Sequence, residues 1–435
     1  MRGRRIPAWL TFIPALAMMM IGACEEDPAS GNYNDAGAGD GALQDVGLDV
    51  MVQNDASPDA SVVDARVYPD CDVPILQPEE IVPGELIRLP PTGQNEMYAM
   101  DWDGRYVAYA EHRCSGWGSD IFVFDLDTMQ ESIVAARVGG QKSPSVWASG
   151  ILFFDGYYTH FPSPENDLRI ELYHFDVPTG QETRLTDGNW PKILPVYNGT
   201  HVAYLSGEWD PPSFLYDFVL REVSTGQEQT LADHNQGVQQ CYGISEEYVT
   251  WQALSPSQPN TWDIFYHHIP TGITDRLYLD TPYLLCPAVA GQRLAWNEMR
   301  NGNWDVFVMD LETSIEEQIT DDPADQVMIR GLGGNFLVWQ DYRHSGGTFP
   351  GYATDFYFHE LSTGISRRLT LEAREWGIHK PVSCQWLMRV QVYGEHQGVI
   401  YAWDLVTAGV LDQNCHLIPC DPETEICSVM EWQGP

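Results

Sequence analysis

The chain has 435 residues, of which 62 are acidic and only 23 are Lys or Arg, giving a formal charge of −39 at neutral pH. Such a surface repels phosphate backbones, so the sequence predicts no nucleic-acid partner. A cationic partner, a divalent ion or a neutral glycan suits it better, or the acidity serves solubility alone.

In chain order, Arg2, Arg4 and Arg5 precede an apolar stretch from Ile6 to Ala23 that Pro7 and Pro14 interrupt. Basic residues followed by a short apolar run read as a secretory signal rather than a membrane span. Its end, Ile21-Gly22-Ala23-Cys24, resembles the bacterial lipobox. That resemblance implies removal of residues 1–23, lipidation of Cys24 and an effectively permanent membrane anchor. By resemblance to bacterial lipoprotein sorting, Glu25 rather than Asp in the next position implies the outer membrane. The competing reading is an ordinary signal with a buried or paired Cys24.

Residues 24–72 are expected to form a disordered, Asp-rich tether. After Cys24 they hold twelve acids against the single Arg66, and low hydrophobicity with high charge cannot build a core. A coil of this length spans about 35–40 Å. Its aspartates lack the fixed partners of a calcium loop.

Residues 73–412 repeat one pattern seven times. A β-rich run ending near an aromatic is followed by a loop, a second run that usually opens on an acid, and a turn close to Thr-Gly. The first runs include Tyr106-Val-Ala-Tyr109, Ile151-Leu-Phe-Phe154, His201-Val-Ala-Tyr204 and Phe336-Leu-Val-Trp339. The second runs begin at Asp120, Glu171, Asp217, Asp263, Asp305, Asp355 and Val399. The turn threonines, Thr128, Thr179, Thr225, Thr271, Thr313, Thr363 and Thr407, lie 42 to 51 residues apart. Period-two alternation gives half-buried strands, and a regular period of this size marks one unit repeated around an axis. A short outer strand follows each turn, and an inner strand opens each repeat near Pro144, Leu194, Cys241, Cys286, Ile329 and Cys384. The expected fold is all-β, a seven-bladed β-propeller of four-stranded antiparallel blades, with six or eight blades as the alternative. Either Glu85-Leu-Ile-Arg-Leu89 or Gly409-Val-Leu-Asp-Gln413 completes the last blade.

Within the repeats, Trp296, Glu298 and Arg300 share a spacing with Trp339, Asp341 and Arg343, and Tyr109, Glu111 and Arg113 echo it. This spacing resembles the core of TolB-like propeller repeats. In blades two and three Phe154 and Tyr204 stand in for tryptophan without the acid–Arg pair. The resemblance implies the repeat type alone.

Residues 413–435 form a Cys-containing tail. Without Cys24, eight cysteines remain, enough for up to four disulfides in an exported chain. Cys71 is expected to join one of Cys415, Cys420 and Cys427, the other two pairing together. Cys241 and Cys286 occupy equivalent positions of neighbouring repeats and either bridge or are small buried residues. Cys114 and Cys384 have no evident partners. No Cys-x-x-Cys pair suggests zinc.

Function is expected on the loops around the channel mouth. Trp117, Tyr157, Tyr158, Trp190, Trp209, Tyr342, Phe349, Tyr352 and Trp376 are the candidate ligand-binding aromatics, offering flat faces to sugar rings or side chains. Trp262 and Trp304 read as blade packing, and the Glu298–Arg300 and Asp341–Arg343 pairs as structural. His112, His160, His344 and His396 are the weak metal candidates, because imidazoles converging at a channel mouth could hold a divalent ion. Oligogalacturonate lyases with related repeats use a metal held this way, so a metal-dependent uronate lyase is one alternative. No nucleophile elbow, zinc-protease motif or phosphate loop is present, and no catalytic residue or cofactor is predicted. The expected protein is a monomeric, lipid-anchored envelope lipoprotein. Its propeller binds an envelope protein or glycan, and a purely structural role is the second alternative.

Overall fold

The computed structural model describes residues 77–82, 86–89, 97–113, 119–136, 140–156, 170–188, 190–210, 213–238, 241–300, 302–344, 355–369, 376–378, 386–393 and 397–419. Six four-stranded antiparallel sheets follow one another as blades one to six, over residues 97–135, 140–184, 192–232, 242–281, 284–318 and 326–368. The seventh sheet combines both ends of the chain. Trp376–Ile378, Trp386–Tyr393 and Gln397–Asp404 are joined by Leu86–Leu89 and, outermost, Glu79–Val82. The ring is a seven-bladed β-propeller.

Of the two routes to closure, the early segment is the one used. Leu86 pairs with Trp403 and Leu89 with Ile400, and Leu89 is fully buried beside Trp102 and Ala402. Residues 409–413 form no blade strand: the place beside Gln397–Asp404 is taken by Leu86–Leu89, and Leu411 bridges Leu417 instead. Glu79–Val82 adds a fifth strand that the repeat count does not suggest.

The Thr-Gly signal has a physical cause. The last residue of the third strand accepts from the turn threonine: Thr179 N–H on Asp176 at 3.1 Å, Thr313 N–H on Asp310 at 2.9 Å and Thr407 N–H on Asp404 at 2.8 Å. The Thr179 hydroxyl and N–H hold the Asp176 carboxyl, and the Thr313 N–H and hydroxyl the Asp310 carboxyl, below the ordinary range. Reversal then needs a left-handed residue. Gly180, Gly226, Gly272 and Gly364 supply it, whereas Met129 and Ser314 adopt φ of 56° and 57° at a steric cost.

Inner strands carry bulges around proline, which lacks the ladder N–H. Register shifts fall at Lys142/Ser145, Ile193/Val196 and Leu285/Ala288, around Pro144, Pro195 and Pro287. In blade seven the inner strand is Trp376–Ile378, upstream of Cys384, which lies outside the described residues.

Between blades the core is continuous. Ala295, Val306 and Val308 of blade five pack with Leu332, Leu337 and Trp339 of blade six. Blades four and five are also joined covalently by the Cys241–Cys286 disulfide, with Cα atoms 4.9 Å apart. It closes a loop across 45 residues. Replacing both cysteines with serine should cost about 2–4 kcal/mol, read as a lower unfolding midpoint in denaturant. A variant that unfolds with the parent would show that the bridge adds nothing. Cys415 is also disulfide-bonded, to a partner outside the described residues. Cys24, Cys71, Cys114, Cys420 and Cys427 lie outside them too.

Candidate functional site

Antiparallel order brings the end of strand two, the start of strand three and the strand-four-to-one connection of every blade to the same face. The acids that open the third strands stand there, and each is engaged by neighbouring groups. Thr320 Oγ1 donates to Asp305 at 3.2 Å while accepting from Val306 N–H at 2.9 Å, so one hydroxyl links carboxylate to backbone. Thr186 plays the same part between Glu171 and Leu172 N–H. Glu171 also accepts from Gly188 N–H and lies 3.3 Å from Lys192. Asp263 pairs with Arg276 at 3.2 Å and Asp355 with Arg368 at 2.7 Å. Asp217 meets His234 at 3.1 Å. Burial raises the Asp305 carboxyl above its ordinary value despite its hydrogen bonds.

The aromatic–acid–Arg spacing builds a layered stack. Trp296 lies over Phe307 at 5.7 Å between ring centres, and the Arg300 guanidinium covers the same ring at 3.9 Å. Trp339, Tyr357 and Arg343 repeat the arrangement at 5.9 and 4.5 Å. Tyr109, Phe122 and Arg113 do so at 5.9 and 3.9 Å. The acid locks the layers: Trp296 Nε1–H donates to Glu298 at 3.3 Å and Trp339 Nε1–H to Asp341 at 3.2 Å. Arg300 contacts Glu298 at 2.8 Å and Arg343 contacts Asp341 at 2.7 Å. Within each of these blades the guanidinium group ties strand two to strand three by stacking and charge-assisted hydrogen bonds.

Register corrects one assignment. Asp155 lies opposite Glu171 as Glu298 lies opposite Asp305, so Phe153, stacked on Tyr173 at 5.8 Å, is the counterpart of Trp296. Phe154 faces the other way. Two adjacent aromatics on a period-two strand hide which one belongs to the stack. Blade two therefore has the acid of the motif, with Tyr157 in place of its arginine.

The sequence-derived aromatics divide unevenly. Trp190, between blades two and three, is 50 % exposed. Tyr342 is not a rim residue: it is 3 % exposed and packs on Trp304 and Val327. Trp209 and Trp376 sit within strands rather than loops, Trp209 because the blade-three hairpin extends its pairing to Asp210 and Ser213. Trp117, Tyr157, Tyr158, Phe349 and Tyr352 lie outside the described residues. Sequence reasoning passed over Tyr283, 52 % exposed in the connection from blade four to blade five, and Leu254, 40 % exposed at the head of the blade-four hairpin. Tyr283 directly follows Pro282, a turn signal that could have flagged it.

Of the histidines, His344 Nε2 lies 3.0 Å from the Tyr357 hydroxyl, and His112 also has a partner. His160 and His396 lie outside the described residues. Among the described residues no three His, Cys, Asp or Glu side chains assemble as a metal-binding group.

With this geometry in place, comparison with known proteins gives a likeness at the level of architecture. No family model and no curated protein matches the sequence. Among solved structures, an oligogalacturonate lyase in complex with manganese is 12 % identical, with 77 % of this chain and 96 % of that one covered and a TM-score of 0.50. The oligogalacturonate lyase from Vibrio parahaemolyticus is 11 % identical, covering 77 % and 98 %, with a TM-score of 0.52. The propeller domain of the Trilobed protease from Pyrococcus furiosus is 10 % identical, covering 71 % and 95 %, with a TM-score of 0.51. The shared property is the fold. A propeller hosts many chemistries, so function rests on the site itself.

Proposed function

We propose that this protein is a binding module of the cell envelope, a propeller anchored through lipidated Cys24 that docks a glycan or envelope protein on its loop face. The observation that carries the reading is Trp190, half exposed on the face where the charged side chains of the blades are engaged in structural bonds. Tyr283 is a second exposed aromatic in a strand-four-to-one connection. Aromatic rings there offer apolar contact with a polar edge and lose little entropy on binding. Among the described residues no helix is long and apolar enough to cross a membrane. A uronate lyase would instead need a divalent metal held by imidazoles at the channel mouth.

The test is binding of the oxidised 73–435 fragment to a glycan array and to envelope extracts, with Trp190→Ala and Tyr283→Ala alongside. A specific ligand whose affinity falls about tenfold or more in Trp190→Ala supports the reading, as expected for an anchor residue. Equal binding by all three proteins rejects the aromatic face. Release of unsaturated product from oligogalacturonate in the presence of manganese would replace the binding role with the lyase role.

A further inference from the structure

Beyond the last blade strand the chain does not leave the ring. Val410, Leu411 and Leu417 are each at most 3 % exposed and pack among Phe336, Phe358, Leu369 and Trp403. Leu411 and Leu417 pair as an antiparallel bridge. The turn between them is braced by Asp412, which accepts from Asn414 N–H at 2.8 Å and His416 N–H at 3.0 Å.

Blade six receives this turn with two buried charged side chains. Glu360 occupies the position where Asp176 and Asp310 only brace their own turns. Here the carboxylate meets His416 Nδ1 at 2.7 Å and accepts from Leu417 N–H at 3.0 Å, with Ser362 and Asn335 completing its shell at 2.9 and 3.2 Å. Arg367, 3 % exposed, donates to the carbonyls of Gly409, Val410 and Ile418 at 2.8, 3.3 and 3.3 Å. Both side chains therefore read the backbone of the tail.

We propose that residues 409–418 are a C-terminal latch tying blade seven to blade six, and that the charge state of His416 against Glu360 sets how tightly the latch closes. His416 faces Glu360 from blade six and Asp412 from its own turn, and the Glu360 bond raises its pKa above the ordinary 6.5. Burial would lift the Glu360 carboxyl, but the bonds from His416, Leu417 N–H and Ser362 hold it down at about 2. Beside them, His359 donates or accepts at Ser366 and is pushed down to about 4 by burial, so it stays neutral near neutral pH. A raised histidine stabilises the folded state fully below its unfolded value of 6.5 and loses that contribution as pH climbs through the raised value. A depressed carboxylate contributes above 4.5 and loses its contribution as pH falls toward 2. The latch is therefore tightest between those unfolded values and loosens on the alkaline side. Because the buried leucines remain seated, the loosening is a local opening of the 412–416 turn.

Hydrogen exchange of the full oxidised chain, corrected for intrinsic rates, tests this at about pH 6 and about pH 8.5. The opening of the 412–416 turn should rise about threefold between the two in the parent, the size of effect a partly exposed charged pair provides. His416→Gln should open equally at both, while Glu360→Gln should be open at both and more than the parent. Unchanged protection in blades two to four shows that each variant is folded. A parent with no pH dependence in this segment, or a His416→Gln variant that keeps the parental dependence, overturns the proposal.

Discussion

Leu89→Asp is expected to destabilise the protein by more than about 5 kcal/mol, close to the whole stability of an ordinary domain. Leu89 is fully buried in the strand that closes the ring. The substitution removes a core leucine, which alone costs about 2–5 kcal/mol. It also places a carboxylate in the buried apolar cluster of Met100, Trp102 and Ile400. Blade seven would lose its fourth strand and expose the edge of Gln397–Asp404. The measurement is denaturant unfolding by tryptophan fluorescence, with Leu89→Met as the volume-conserving control, expected within about 1.5 kcal/mol of the parent. A Leu89→Asp protein that unfolds like Leu89→Met would show that the early strand is dispensable for closure.

Arg113→Met should cost about 3–5 kcal/mol, the usual penalty for breaking a buried ion pair from one side. The Arg113 side chain is 1 % exposed and bridges Glu111 and Glu131, both fully buried, at 2.6 Å each. Tyr109 adds its hydroxyl to Glu131. Burial works against the guanidinium charge, but the Glu131 bonds and the surrounding acids outweigh it and push the Arg113 pKa up. Methionine keeps much of the apolar contact with Phe122 and leaves two carboxylates close together. A second change, Glu131→Gln, should return part of the loss by removing one of those charges. If the single variant loses less than about 1 kcal/mol, the triad is closer to a solvated pair than its burial indicates.

Blade architecture was legible in the sequence because each repeat writes its own boundaries. The acid at the third strand, the residue before the turn and the left-handed glycine each satisfy a backbone requirement that recurs from blade to blade. Closure was legible only as a choice between two segments, since the pairing of residues 86–89 with 400–403 is a long-range contact that strand pattern alone does not decide. The same limit hid the fifth strand and the tail contact on Glu360. Phe153 was missed because adjacent aromatics leave the phase of alternation open. Tyr342 looked like a rim residue from its loop position, yet Trp304 and Val327 leave it a pocket. Trp190 remained on the surface because Pro191 and Lys192, both buried, begin the next inner strand directly after it.

The closing hairpin also determines how the molecule would answer tension. Any pull on the chain ahead of Glu79 enters at the outermost strand of blade seven, where Glu79 pairs with Arg88. When the pull is directed away from the sheet edge, partners separate one at a time and the fifth strand peels first while the ring stays intact. Continued stretching reaches Leu86 opposite Trp403 and runs toward Leu89 opposite Ile400. The last pair to part is the one with the fully buried leucine, so mechanical strength is concentrated at the end of the zipper. Glu79–Val82 would act as a slack-absorbing strand, giving up length before the ring is strained.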